Sequence, residues 1–163
     1  MLATRGLGSE KIKFELAEDR IIELKIFDTA GQERFRSIGL TLLRITDCCI
    51  LVYDITNKNT FYTCAYDFIE SIKDMCKRDI KVILLGNKSD LERERQVSQE
   101  EGRNLAIKNN FLFSEISCKM NYNIVESFRK LIEITDKDII NKYKDSFPLK
   151  VSKIKRKKRK KCC

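Results

Sequence analysis

Three segments of the chain carry side chains suited to phosphate and base chemistry, and each follows a stretch that reads as a β-strand. The first is Asp28-Thr29-Ala30-Gly31-Gln32-Glu33-Arg34-Phe35-Arg36-Ser37-Ile38. An acid at a strand end suits a Mg²⁺ ligand, a Gly lets a backbone N–H approach a phosphate oxygen, and an adjacent Gln can orient a water for in-line attack. The second is Gly86-Asn87-Lys88-Ser89-Asp90, in which Asn and Asp with two residues between them can present an acceptor and donors to a purine edge. The third is Glu115-Ile116-Ser117-Cys118-Lys119. Alone, an Asp-x-x-Gly at a strand end reads as a turn and Asn-Lys-Ser-Asp as a polar loop.

The elements that must position these segments follow from hydrophobic spacing. Ile12 to Leu16 and Ile22 to Phe27 alternate apolar with polar residues around the turn Glu18-Asp19-Arg20, which predicts a β-hairpin. Cys48 to Tyr53, Val82 to Leu85 and Phe111 to Ile116 are short and largely apolar, as strands buried on both faces of a parallel sheet are. Phe61, Ala65, Phe68, Ile72 and Met75 recur at helical spacing, and Ser98-Gln99-Glu100-Glu101 is a capping box opening a helix that holds Leu105 and Ala106. A last helix is expected over about 123–144, with Ile124, Phe128, Leu131, Ile132 and Thr135 or Ile139 on one face and Pro148 just beyond. This alternation predicts an α/β fold: a doubly wound, mostly parallel sheet with helices on both faces. In such sheets ligands collect beyond the carboxyl ends of the strands, where the three segments lie.

Composition narrows the classes. Of 163 residues, 33 are Lys or Arg and 24 are Asp or Glu, for a formal charge of +9. Nine of the basic residues (Lys150, Lys153, Lys155, Arg156, Lys157, Lys158, Arg159, Lys160 and Lys161) fall in 150–163 with no acid, so the body carries 24 of each sign. That argues against a domain that coats nucleic acid. With 42% hydrophobic residues, six Gly and one Pro, the body is neither low-complexity nor disordered in composition. No apolar run approaches the roughly 20 residues of a membrane-spanning helix, and Met1 to Lys13 has no signal-peptide core, so a cytosolic chain is expected. There is no His and no Cys-x-x-Cys pair, which disfavours Cys/His zinc sites and His acid–base catalysis. The five internal cysteines, Cys48, Cys49, Cys64, Cys76 and Cys118, read as small buried hydrophobes.

Taken together, the segments resemble the Ras superfamily of small GTPases and, within it, the Rab family. Asp28 to Ile38 matches the family's switch II over eleven consecutive residues, Asn87 to Asp90 matches its N-K-x-D, and Ser117-Cys118-Lys119 is similar to its S-A-K. Val52-Tyr53-Asp54-Ile55-Thr56 and the terminal Cys162-Cys163 add to the likeness, which runs from about Ile12 to Cys163. The eleven-residue identity removes the freedom that a mere turn would leave. The resemblance implies GTP/GDP and Mg²⁺ as ligands. Asp28 would hold Mg²⁺ through a water, the Gly31 N–H would meet the γ-phosphate and Gln32 would position the hydrolytic water. Asp90 would accept from guanine N1–H and the 2-amino group, Asn87 would hold neighbouring loops, and the Lys88 stem would lie along the base. Ser117, the Cys118 N–H and Lys119 would complete the pocket near O6.

Some of the family's pattern has no counterpart. Nothing in the chain matches the phosphate loop G-x-x-x-x-G-K-[S/T] or the strand before it. Thr4-Arg5-Gly6 resembles a degraded T-I-G, which would make Thr4 the switch I Mg²⁺ ligand; the competing reading is a frayed N-terminus. The expectation is a fragment or truncated gene model of an ordinary GTPase, with 1–146 an incomplete domain that folds and binds GTP poorly by itself. Phe27 stands where the family has Trp, and Leu42-Leu43-Arg44-Ile45 where it has a Tyr pair and Arg-Gly, so effector identity does not carry over. Arg34 and Arg36 read as switch surface rather than an in-chain arginine finger, which implies an activating protein.

The tail, 147–163, could be a nuclear or nucleic-acid patch, an electrostatic membrane anchor or a solvated end. The resemblance favours the second. Cys162 and Cys163 would be geranylgeranylated, and the basic run would hold the protein to the anionic cytosolic face of endomembranes, with a soluble pool and no nucleic-acid partner. The function implied is a GTP-hydrolysing switch in vesicle-mediated membrane traffic, with an exchange factor, an activating protein and effectors as partners. The alternative is a nucleotide-independent, Rab-derived binding or scaffold protein.

Overall fold

The computed structural model of the chain describes residues 8–16, 20–28, 41–76 and 80–143. The two alternating segments form β1 (Gly8–Leu16) and β2 (Arg20–Asp28), paired antiparallel from Gly8 opposite Asp28 to Leu16 opposite Arg20. The register sets Ile12 against Leu24 and Phe14 against Ile22, so apolar side chains meet across the hairpin. Both strands extend past the apolar pattern, because the polar stretch from Gly8 to Lys11 still finds ladder partners in Lys25 to Asp28.

β3 (Cys48–Asp54), β4 (Lys81–Asn87) and β5 (Leu112–Glu115) form a parallel sheet in that order. The central strand is buried from Val82 to Gly86, as a strand covered on both faces must be. Its alternate side chains feed two cores. On one face Leu51, Tyr53, Val82 and Leu84 pack with Phe61, Cys64, Ile69, Ile72 and Ala106 from the helices. On the other, Ile83, Leu85 and Ile116 pack with Leu131. Helices thus lie on both faces of the sheet. Among the described residues the hairpin and the three-stranded sheet are separate sheets.

α1 (Lys58–Tyr62) and α2 (Ile69–Met75) are joined by a π-helical turn over Thr63–Phe68. The extra residue of the wider turn shifts the helix face. Cys64 and Ile69 are therefore buried, while Ala65 and Met75, expected on the inward face, are half-buried. α3 (Gln99–Lys108) opens on the anticipated capping box: Ser98 Oγ accepts from the Glu101 N–H at 3.1 Å, and the Ser98 N–H donates to Glu101 Oε2 at 2.8 Å. In α4 (Ile124–Tyr143) the inward face runs through Leu131, Ile132 and Thr135 rather than Ile139. Thr135 is tolerated there because its hydroxyl donates to the Leu131 carbonyl at 2.7 Å. α4 also reaches the hairpin, where Arg129 donates Nη1 to the Glu15 carbonyl at 3.1 Å.

The cysteines divide. Cys64 is buried and Cys49 half-buried, and desolvation pushes their thiols up to about 11 and about 12, which makes them inert at neutral pH. Cys118, expected to be buried, is exposed, because it lies on a turn rather than within β5. No helix among the described residues is long and apolar enough to cross a membrane. The tail, with Cys162 and Cys163, lies outside the described residues.

Candidate functional site

β4 ends on Asn87 and β5 on Glu115, with Gly86 paired to Glu115, so two of the three segments leave the carboxyl ends of neighbouring strands together. The pairing continues past the strands: the Ile116 N–H donates to the Gly86 carbonyl at 2.8 Å and the Ser89 N–H to the Ile116 carbonyl at 3.1 Å. A bridge between Ser117 and Tyr122 closes the turn that carries Cys118 and Lys119.

Side chains then join the two loops. Asn87 Oδ1 accepts from the Lys88 N–H at 2.7 Å and from the Cys118 N–H at 3.2 Å, a contact across 31 residues of sequence. Ser117 Oγ donates to Asp90 Oδ1 at 2.5 Å and accepts from the Met120 N–H at 3.0 Å. The Ser117 hydroxyl, with help from Lys119 and Lys88, holds the Asp90 carboxyl below its usual range. Asp90 is exposed, so at neutral pH it offers solvent an ionised acceptor of fixed orientation. Asn87, Lys88, Asp90, Ser117, Cys118 and Lys119 therefore form one cluster. Its chemistry is that of an exposed carboxylate acceptor held between two loops, able to accept from N–H donors.

Lys88 has a left-handed backbone, φ 67°, and its ammonium returns to β3, where Nζ lies 2.5 Å from Asp54 Oδ2. Asp54 Oδ1 also accepts from the Thr56 N–H at 2.9 Å and the Thr56 hydroxyl at 2.7 Å. Burial pushes the Asp54 carboxyl up, but hydrogen bonds from Lys88 and Thr56 outweigh it and the net shift is downward. The same pair raises the Lys88 ammonium. In the sequence Asp54 stands out only as part of a family-like string, and its strand-end position alone does not reveal the pairing with Lys88. Because the folded Asp54 titrates below its ordinary value of 3.8, its contribution is complete above that pH and is lost as pH falls through the lower folded value. The Lys88 half is complete below 10.5 and lost as pH rises beyond it. Urea midpoints of Asp54→Asn and wild type should thus differ by a constant amount between about pH 5 and 9 and converge outside that window. A gap that does not change with pH would contradict the pairing.

Asp28 is exposed at the carboxyl end of β2, opposite Gly8. Gly31, Gln32 and Thr4 lie outside the described residues. No group of three or more potential metal-ligating side chains occurs among the described residues, and Asp28 is the single member there of the expected Mg²⁺ set.

A parallel sheet flanked by helices, with its polar loops at the carboxyl ends of the strands, is the fold of the small-GTPase class. The Ras family model matches residues 2–137, and the chain belongs to that family. Human Ras-related protein Rab-3A (Homo sapiens) is 42% identical over 124 residues, which is 76% of this chain and 56% of that protein. The likeness makes the chain Rab-like. The chain spans about half the length of this curated relative.

Proposed function

We propose that the chain binds guanine nucleotide through the Asn87–Asp90 loop and the Ser117–Lys119 turn, and serves as a Rab-like GTP switch in membrane traffic. The carrying observation is the cluster itself: Asn87 Oδ1 on the Cys118 N–H and Ser117 Oγ on Asp90 join two segments distant in sequence. Guanine presents adjacent N1–H and 2-amino donors, which suit a carboxylate; adenine presents an acceptor at N1, which a carboxylate repels. In this reading Asp90 selects the base, Asn87 fixes the loops and Lys88, anchored by Asp54, lies beside the ring. GTP hydrolysis would draw on Gln32, Gly31, Asp28 and Mg²⁺, with an activating protein, an exchange factor and effectors as partners.

Phosphate contacts contribute about 1.5–3 kcal/mol for each charge-assisted hydrogen bond. Since no segment of the 163 residues matches the phosphate loop, weak binding governed by the base is expected from this chain alone. The basic run ending in Cys162-Cys163 supports a prenylated tail held to anionic membranes at the cytosolic face. The test is titration of the chain with GDP and ADP. Guanine should be preferred, and Asp90→Ala should abolish the preference; equal binding of both by wild type would overturn the proposal.

A second reading, a nucleotide-independent binding protein, draws on one observation. β3 pairs only with β4 among the described residues, and Val52 on it is 50% exposed, so the sheet offers an edge to a partner. Absence of any nucleotide effect would favour it.

A further inference from the structure

Arg95 lies in none of the three sequence segments singled out above, yet it spans the ground beneath the second and third. Its Nη1 donates to Glu115 Oε1 at 2.7 Å and Nη2 to Glu115 Oε2 at 2.9 Å, a two-pronged match of guanidinium and carboxylate. Its Nε and Nη2 also meet Glu92 at 2.7–3.0 Å, and Nη1 donates to the Val97 carbonyl at 2.9 Å. The two acids are not equivalent. The Glu92 side chain is 68% exposed, whereas those of Glu115 and Arg95 are 11% and 17% exposed. Solvent and salt screen the first pair, and the second keeps its strength.

Each end of the Arg95–Glu115 pair is fastened to the framework. The Gln96 and Val97 N–H groups donate to the Ile55 carbonyl at 2.8 and 3.1 Å, which ties the segment after Arg95 to the end of β3. The Glu115 carbonyl accepts from Asn123 Nδ2 at 2.9 Å, and the Asn123 carbonyl in turn accepts from Ser127 at the start of α4. Arg95 is five residues after Asp90, and Glu115 is two residues before Ser117. The pair therefore bridges the bases of the two loops whose tips meet as Asp90–Ser117 and Asn87–Cys118.

We propose that Arg95 and Glu115 are positioning residues for base selection: their bridge fixes the spacing between the Asn87–Asp90 loop and the Ser117–Lys119 turn. The proposal rests on the guanine reading above. Neither residue touches the base. They hold the partners of the half-buried Asp90–Ser117 bond and the exposed Asn87–Cys118 bond at contact distance, so the cluster is assembled before ligand arrives and less ordering is required on binding. Without the bridge the loops open separately, and Asp90 loses its fixed orientation toward the donors of the base. Lysine cannot substitute fully, because an ammonium lacks the planar fork that meets both carboxylate oxygens.

The test uses the full 163-residue chain and two readouts. The first is hydrogen exchange without nucleotide in wild type, Arg95→Met, Glu115→Gln and the double variant Arg95→Met/Glu115→Leu, which leaves no lone charge behind. The amides of Ser89, Cys118 and Met120 should exchange about tenfold faster in all three variants while those of Ile83 to Leu85 in β4 stay protected, and Arg95→Lys should be intermediate. Unchanged protection at Cys118 and Met120, or an equal loss in β4, overturns the proposal. The second readout is the ratio of affinities for GDP and inosine diphosphate, which lacks the 2-amino group; it should fall in the variants, and an unaltered ratio also overturns the proposal. If wild type shows no base preference at all, the guanine reading fails, and the exchange pattern still decides whether the pair couples the loops.

Discussion

Asn87→Ala is expected to unfasten the two base-facing loops and to weaken guanine nucleotide binding by roughly a hundredfold while the sheet stays folded. The side-chain oxygen of Asn87 is the acceptor for two backbone N–H groups, those of Lys88 and Cys118. Alanine removes the acceptor and leaves both donors to compete for water, at about 1–3 kcal/mol for each if they remain shielded. The loops are partly exposed, so the lower end of that range applies, and two bonds at that level give about 2–3 kcal/mol, or roughly a hundredfold in affinity. Asn87→Asp keeps the acceptor and should retain the turn geometry, although a second carboxylate near Asp90 would disfavour other acceptors on the ligand. Amide exchange at Cys118 reads the geometry and nucleotide titration reads the consequence. If Cys118 keeps its protection in Asn87→Ala, the two-loop account is wrong.

The largest stability effect is expected at the centre of the sheet. Leu84 on β4 is fully buried and packs between the flanking strands and the helices on the face that also holds Tyr53 and Phe61. Leu84→Ala removes three buried carbons from a core that can close only partly around the gap, which costs about 2–5 kcal/mol. A domain of this size is stable by about 5–15 kcal/mol, so the variant should lose a large share of its resistance to urea. The same substitution at Ile107 on α3, 68% exposed, should shift the midpoint by little. Comparable shifts at the two positions would mean that β4 is not the core strand.

The chain declares its parallel strands because β4 is covered on both faces and β3 and β5 are half-buried or buried over most of their length, so all three read as short, largely apolar runs. The start of α3 is equally legible: Ser98 and Glu101 satisfy each other's backbone donors, a local device that needs no tertiary partner. Of the candidate site, the two loops could be located because each leaves the carboxyl end of a strand, while the roles of Asn87, Asp90, Ser117 and Cys118 are implied only by the family resemblance. The π turn over Thr63–Phe68 could not, since one extra residue shifts the helix face without any compositional mark, and with it the burial of Cys64 and Ile69. Asp54 and Arg95 were illegible for a different reason. Each acts through a partner distant in sequence, Lys88 and Glu115, and a charged residue at a strand end or in a polar loop looks the same whether paired or solvated. Cys118 follows the apolar segment Phe111 to Ile116 and so reads as buried, but the strand stops at Glu115 and the turn carries the thiol into solvent.

The charge balance acquires a sharper meaning on this fold. A body with equal numbers of acids and bases places specific pairs at its polar edge, Lys88 with Asp54 and Arg95 with Glu115, while the surplus of nine lies in the last fourteen residues.

The central claim is that the cluster at the ends of β4 and β5 reads guanine. The most direct measurement is an amide chemical-shift titration of the 163-residue chain with GDP and, separately, with ADP. The account predicts that GDP shifts the amides of Asn87 to Leu91 and Ser117 to Lys119, that ADP leaves them in place, and that Asp90→Ala erases the GDP response. Equal shifts with both nucleotides, or GDP shifts confined to other parts of the chain, would contradict it.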